Sequence, residues 1–174
     1  MEEVYLLDTN AFFNFLKYSV IIKEDQEENI KSSIIKIKNN KCYISTLSGI
    51  EIISVIGKYA RTAKIDNSSK LLKPMKPRVV KQWLKLVDDT LTGKSSIITL
   101  KQLPFSQNTI NEAQRIILHA LIHNFGSLDS IIAATASEFR KTQELEKVVL
   151  VTSDKGLIAC LRKCDIPFWD PFSN

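Results

Sequence analysis

Val4-Tyr5-Leu6-Leu7-Asp8-Thr9-Asn10-Ala11-Phe12-Phe13-Asn14-Phe15-Leu16 decides how this chain folds. Val4 to Leu7 is apolar without alternation, the pattern of a strand buried on both faces. Asp8 closes it, and the mixed spacing of Ala11, Phe12, Phe13, Phe15 and Leu16 then fits a helix. A strand that feeds a helix directly is one half of a βαβ unit.

Outward from that stretch the pattern repeats. Cys42 to Ser45 reads as a strand, with Ser45 or Thr46 able to cap a helix through Glu51, Ile52, Ile53, Val55 and Ile56. Val148 to Val151 is the strongest buried-strand signal, followed by a helix over Lys155 to Lys163 and a short strand at Ile166 to Trp169. Between these lie a strand at Ser96 to Leu100, a helix over Thr109 to Asn124, and a helix from Leu128 to Arg140 with Ser127 as its N-cap. Earlier, Lys23 to Lys38 carries Ile30, Ile34, Ile35 and Ile37 near helical spacing and stops at Asn39-Asn40. Strands separated by helices imply the α/β class: three layers, α/β/α, around a central, mostly parallel sheet.

The 174 residues, 44% hydrophobic and 25% charged, suit one folded domain spanning 1–174. From about 62 to 93 the texture changes to Ser, Lys and Pro, then to a helical stretch around Val80, Leu84, Val87 and Leu91; this reads as an inserted basic segment, a helix or helical hairpin. Net charge is +5, yet Lys70, Lys73, Lys76, Arg78, Lys81 and Lys85 fall in one stretch without an acid, and without those six the chain carries −1. So local a positive patch suits phosphate attraction, although a solvated lysine-rich face has the same composition. No apolar run approaches the roughly 20 residues of a membrane span, and Met1-Glu2-Glu3 is acidic where a secretory signal is basic, so a cytoplasmic protein without a membrane partner is expected. Cys42, Cys160 and Cys164 lack paired zinc-type spacing and read as free structural thiols.

Ligands of open parallel sheets bind beyond the carboxyl ends of the strands. Asp8 ends the first strand, Glu51 lies in the first turns of the helix after the second, Asp154 follows Val148 to Val151, and Asp129 stands in the first turn of its helix. Each aspartate alone has a plainer reading: Asp8 as a helix cap, Asp129 as an offset to a helix dipole, Asp154 as a turn residue. Glu51, among Ile50, Ile52, Ile53 and Val55, would be partly buried and in need of a partner. Carboxylates ~4 Å apart repel by roughly 4 kcal/mol per pair at an effective dielectric of about 20, so such a group calls for a cation. Oxygen-only donors select Mg²⁺ or Mn²⁺, and a site of that kind suits phosphodiester hydrolysis without a side-chain nucleophile.

Leu6-Leu7-Asp8-Thr9-Asn10, Glu51 in an early helix, Leu128-Asp129 with Ala133-Ala134, and Thr152-Ser153-Asp154 together resemble the PIN-domain family, which includes the VapC-type toxin ribonucleases. The resemblance runs over most of the chain and rests on the order and spacing of these residues. It implies a PIN-like fold and an endoribonuclease in which Asp8, Glu51, Asp129 and Asp154 form a metal-binding pocket, supported by Asn10 and Thr152. Thr9 and Ser153 match as small residues where the backbone turns close to that pocket. It further implies RNA as substrate, a homodimer, and a place as the toxin of a toxin–antitoxin pair with a protein antitoxin or inhibitor. The length of 62–93 departs from compact toxins; its six basic residues, with Trp83 for stacking, are expected to guide RNA.

Other readings fit less well. A haloacid-dehalogenase-type phosphatase would want a second Asp where Asn10 stands, and a receiver domain would want adjacent acids where Leu7 precedes Asp8. A catalytically weak or inactive PIN-like module for RNA binding or assembly is the non-enzymatic alternative. His119 and His123, four apart, lack the Glu of a zinc-protease motif at Ala120 and read as surface or packing residues, as do Cys160 and Cys164 on one helical face.

Overall fold

A computed structural model describes residues 2–20, 28–61, 64–65, 71–72, 76–122, 124–142 and 146–171. Strand β1 (Glu2–Leu7) lies at the centre of a five-stranded sheet with β2 (Lys41–Ser45), β5 (Leu100–Leu103), β6 (Glu146–Val151) and β7 (Phe168–Trp169). The order is β5-β2-β1-β6-β7 and every pairing is parallel. Val4 through Leu7 are fully buried because both faces of β1 are covered, which is why the run carries no alternation.

Alternate residues of the sheet feed two cores. Tyr5, Leu7, Cys42, Ile44, Val149 and Val151 pack with helices α1 (Thr9–Val20), α2 (Glu28–Lys38), α3 (Thr46–Arg61) and α4 (Pro77–Leu91). Leu6 and Leu150 point the other way, toward α5 (Gln107–Ile116), α6 (Ser127–Thr142) and α7 (Lys155–Lys163). The result is the three-layer α/β/α arrangement. In α1 the stripe Ala11, Phe12, Phe15 and Leu16 is entirely buried, and Phe12, Phe15 and Leu16 each contribute about 1.5–3 kcal/mol by leaving water.

Several boundaries differ from the sequence reading. The strand expected at Ser96–Leu100 is Leu100–Leu103 instead: Ile98 is buried outside any strand, and the edge strand's outward residues are Lys101 and Gln102. The helix expected to run from Thr109 to Asn124 starts at Gln107, capped reciprocally by Ser106 and Thr109, and gives way to a 3-10 turn over Ile117–Leu121. Ser127 is the first helical residue of α6 and not its cap; Gly126 precedes it. The cap of α3 is Ser45, whose Oγ accepts the Ser48 N–H at 3.0 Å.

Within 62–93 the described residues form a two-stranded antiparallel ladder, β3 (Lys64–Ile65) with β4 (Leu71–Leu72), followed by α4. Among the described residues this segment holds one helix and a short ladder; residues 62–63, 66–70 and 73–75 lie outside the described residues. Residues 21–27, with which the expected Lys23–Lys38 helix begins, lie outside the described residues, as does His123. Among the described residues no helix is long and apolar enough to cross a membrane.

Candidate active site

The chain runs from β1 to β2 and β5 on one side, then returns to place β6 and β7 on the other, so the sheet's direction of winding reverses between β1 and β6. Crevices form beyond the carboxyl ends of strands at such a reversal. Asp8 follows β1 there, and its N–H donates to the Val151 carbonyl at 3.1 Å, tying the two strand ends together.

Asp8 is 3% exposed. Its Oδ1 accepts the Ala11 N–H at 2.5 Å, capping α1, and its Oδ2 accepts the Thr152 hydroxyl at 2.5 Å. Thr152, itself fully buried, also accepts the Asp154 N–H at 3.1 Å, so one hydroxyl links two of the acids. Asp154 caps α7 by accepting the Leu157 N–H at 2.8 Å through Oδ1. Asp129, in the first turn of α6, accepts the Gly126 N–H at 2.8 Å through Oδ2. All three aspartates thus sit at helix N-termini, where backbone N–H groups and the helix dipole offset roughly 0.3–1 kcal/mol of each charge. Each aspartate engages a backbone N–H at a helix start, and Thr152 joins the first two, because α1 and α7 begin beside neighbouring strands.

Burial pushes the Asp8 carboxyl up to about 7; the bonds from Thr152 and Ala11 pull it down, and the charges of Asp129 and Asp154 push it up further. Asp129 is also raised, by burial first, against the lowering effect of the Gly126 N–H and with the charge of Asp154 adding to the rise. In both groups the like charge of a neighbouring aspartate adds, after burial, to the rise. The donor set fits a hard divalent ion: oxygen only, with Asp129 and Asp154 each using one carboxylate oxygen for a helix cap. In their present directions, turned toward their own helices, no three carboxylate, imidazole or thiol groups among the described residues converge closely enough to hold one.

Glu51 is half-buried on α3, and its expected need for a partner is met by Thr9, whose hydroxyl donates to Oε2. Ile52 and Ile56 carry the buried face of that helix, while Ile50 and Ile53 are exposed. Asn10 is exposed at the start of α1. Two contributions were not read from the sequence. Gly126 supplies the N–H that holds Asp129, and Asp170, directly after β7, accepts the Ser153 hydroxyl at 2.5 Å beside Asp154. The rule that singled out Asp8, an acid just past a strand end, applies equally to Asp170.

Four of the six basic residues lie at the start of α4 or along it. Lys76, Arg78, Lys81 and Lys85 are exposed, and the last three, with Pro77 and Gln82, line a shallow groove of about 440 Å³ on α4. Lys70 and Lys73 lie outside the described residues. Trp83 is not free for stacking on RNA: it faces inward and stacks on Phe13, ring centroids 5.4 Å apart. A cavity of about 560 Å³ below β7 is bordered by an internal network in which Lys36 bonds Glu3 at 3.3 Å and covers the Trp169 ring. Cys42 and Cys160 are buried free thiols, each pushed up to about 12, chiefly by burial, which agrees with a structural role.

No family model and no curated protein matches the sequence. Solved structures do. A chain of FitAcB from Neisseria gonorrhoeae superposes with a TM-score of 0.58 at 17% identity, over 98% of this chain and 99% of that one. The fold is PIN-like. A chain of VapBC2 from Rickettsia felis, bound to a DNA fragment from its promoter, gives 0.56 at 14% identity over 95% and 97%. A toxin–antitoxin complex from Klebsiella pneumoniae gives 0.52 at 15% over 98% and 99%. At these identities the likeness establishes the PIN-like architecture, and it spans nearly the whole of each chain.

Proposed function

We propose that this PIN-like protein is a metal-dependent endoribonuclease of the VapC kind, acting as the toxin of a toxin–antitoxin pair. The observation that carries the reading is the grouping of Asp8, Asp129 and Asp154 at three helix N-termini around the β1–β6 reversal, with Asp8 raised to about 7. Asp8, Glu51, Asp129 and Asp154 would hold Mg²⁺ or Mn²⁺. Thr152 orients Asp8 and the Asp154 loop, Thr9 orients Glu51, and Asn10 stands exposed beside them to meet substrate. When bound, the cation supplies Lewis acidity toward water and the phosphoryl oxygens. Lys76, Arg78, Lys81 and Lys85, with Lys70 and Lys73, attract the phosphate backbone.

The Klebsiella neighbour is a toxin–antitoxin complex by its description, which supports a protein antitoxin as partner here. A homodimer belongs to the same reading.

A second reading, an RNA-binding or assembly module without catalysis, is favoured by one observation: Asp8, Asp129 and Asp154 each accept a backbone N–H at the start of a helix, a structural use of all three acids. Incubation of the purified protein with structured RNA, single-stranded RNA and single-stranded DNA, in Mg²⁺, Mn²⁺ or EDTA, decides between them. RNA cleavage that requires metal and disappears in Asp8→Asn is the expected result. RNA binding without cleavage under every metal condition would replace the nuclease by the module.

A further inference from the structure

Gly156 stands in the first turn of α7, two residues beyond Asp154. A Cβ placed on it would overlap the Asn124 carbonyl oxygen and lie 2.7 Å from the carbonyl carbon and 3.2 Å from Asp154 Oδ1. The obstructing atoms at Asn124 are backbone, so no side-chain rotation relieves the overlap. Backbone conformation does not explain the glycine: among the described glycines only Gly93 has a positive φ. A glycine inside a helix costs about 1 kcal/mol relative to alanine, so α7 tolerates a loss at this position.

Asn124 stands in the stretch leading into α6, two residues before Gly126. Phe125 anchors that link in the second core, and Gly126 holds Asp129 through its N–H. Seating the Asn124 carbonyl against α7 therefore brings the first turn of α6, with Asp129, beside the first turn of α7, with Asp154.

We propose that Gly156 is a positioning residue of the acidic site: its lack of a side chain admits the Asn124 carbonyl and so fixes Asp129 relative to Asp154 for a shared divalent cation. The inference rests on the reading of these acids as a cation site. Gly156 touches neither substrate nor ion; it acts through the 124–126 link.

The test is Mn²⁺ binding to the full-length protein without RNA, by calorimetry and by electron paramagnetic resonance of free Mn²⁺, for the wild type, Gly156→Ala and Asp154→Asn. Gly156→Ala should remain folded by circular dichroism and bind Mn²⁺ about ten-fold or more weakly, the scale of loss when a group supporting a metal ligand is disturbed. Ile37→Ala, a core change in the opposite layer that lowers Tm, should bind Mn²⁺ as the wild type does, separating placement from stability. If Asp154→Asn loses Mn²⁺ while Gly156→Ala keeps wild-type affinity, the positioning role is overturned and the site stands. If Asp154→Asn binds as tightly as the wild type, the cation site itself is overturned, and the proposal with it. Should Gly156→Ala fail to fold, Gly156→Ala/Asn124→Gly, whose freer backbone lets the carbonyl turn away, should fold and still bind weakly. Failure of that chain to fold would make the contact a requirement of folding alone and overturn the proposal.

Discussion

Thr152 donates its hydroxyl to Asp8 Oδ2 at 2.5 Å while accepting the Asp154 N–H at 3.1 Å, and Thr152 and Asp8 are both buried. The threonine is the strongest of the influences that favour the charged form of Asp8. Thr152→Val keeps the shape and removes the hydroxyl, leaving a buried carboxylate oxygen and the Asp154 N–H without their partner. The expected cost is about 1–3 kcal/mol in urea unfolding, with the Asp8 carboxyl pushed further up. Thr152→Ser retains the donor and should recover most of both. Equal stability of the Val and Ser variants would show that the hydroxyl contributes only shape.

Asp8 also predicts a pH dependence. Its folded pKa, about 7, lies above the ordinary 3.8, so the folded state holds the proton more tightly than the unfolded chain. Stability from this group is therefore full below about pH 4 and falls as pH rises through 7, by a few kcal/mol at most on the usual conversion of about 1.4 kcal/mol per pH unit. Asp8→Asn should raise the Tm of the metal-free protein at pH 8 and flatten its decline from pH 5 to 8. Mg²⁺ should raise the wild-type Tm at pH 8 and leave Asp8→Asn unmoved, because binding to the folded state alone is stabilising. A Tm for metal-free Asp8→Asn below the wild type at pH 8 would contradict the buried-charge account.

The parts of this fold legible in the sequence are those where burial is complete. β1 and β6 show as unbroken apolar runs because helices cover both faces, and the helix Lys155–Lys163 is legible to the residue, although Asp154, read as a turn residue, proves to be its N-cap. β5 was displaced by several residues because an edge strand needs little apolar content: Lys101 and Gln102 face solvent, while Ile98, just outside the strand, fills the core beneath α4. The break at Ile116 was invisible because the apolar period continues through Ile117, Ala120 and Leu121 although the backbone tightens to 3-10. At the site, Asp8 and Asp154 stand out because strand-end position is a sequence property, Asp129 stands out only as a first-turn acid, and Thr152 is given only by the resemblance. The partnership of Thr9 with Glu51 and of Ser153 with Asp170 joins residues 42 and 17 positions apart, and only the folded chain brings them together.

Trp83 illustrates how composition misleads. An aromatic within a basic stretch suggested a stacking platform, yet it lies on the inward face of α4 with Val80, Leu84, Val87 and Leu91, against Phe13. Trp83→Ala should cost about 3 kcal/mol or more as a core truncation. At temperatures where the variant is folded, its affinity for single-stranded RNA should match the wild type. Weakened RNA binding without loss of stability, measured by fluorescence anisotropy and by urea unfolding, would reverse that assignment.

The outward face of the same helix makes the complementary prediction. Arg78, Lys81 and Lys85 recur at intervals of three and four, so they form one exposed stripe with Gln82, opposite the residues that bind α4 to the core. A solvated face of this kind contributes little to stability, and replacing all three by Gln should move Tm by about a degree. If the stripe follows an RNA backbone, affinity should fall and the slope of log K against log salt should shrink by about 2, near 0.7 for each lost contact with a single strand. Metal-dependent cleavage of a short oligonucleotide, which reaches the acids without the stripe, should change far less than cleavage of a long RNA. An unchanged salt slope in the triple variant would mean that α4 is simply solvated there and that RNA approaches the acids by another face.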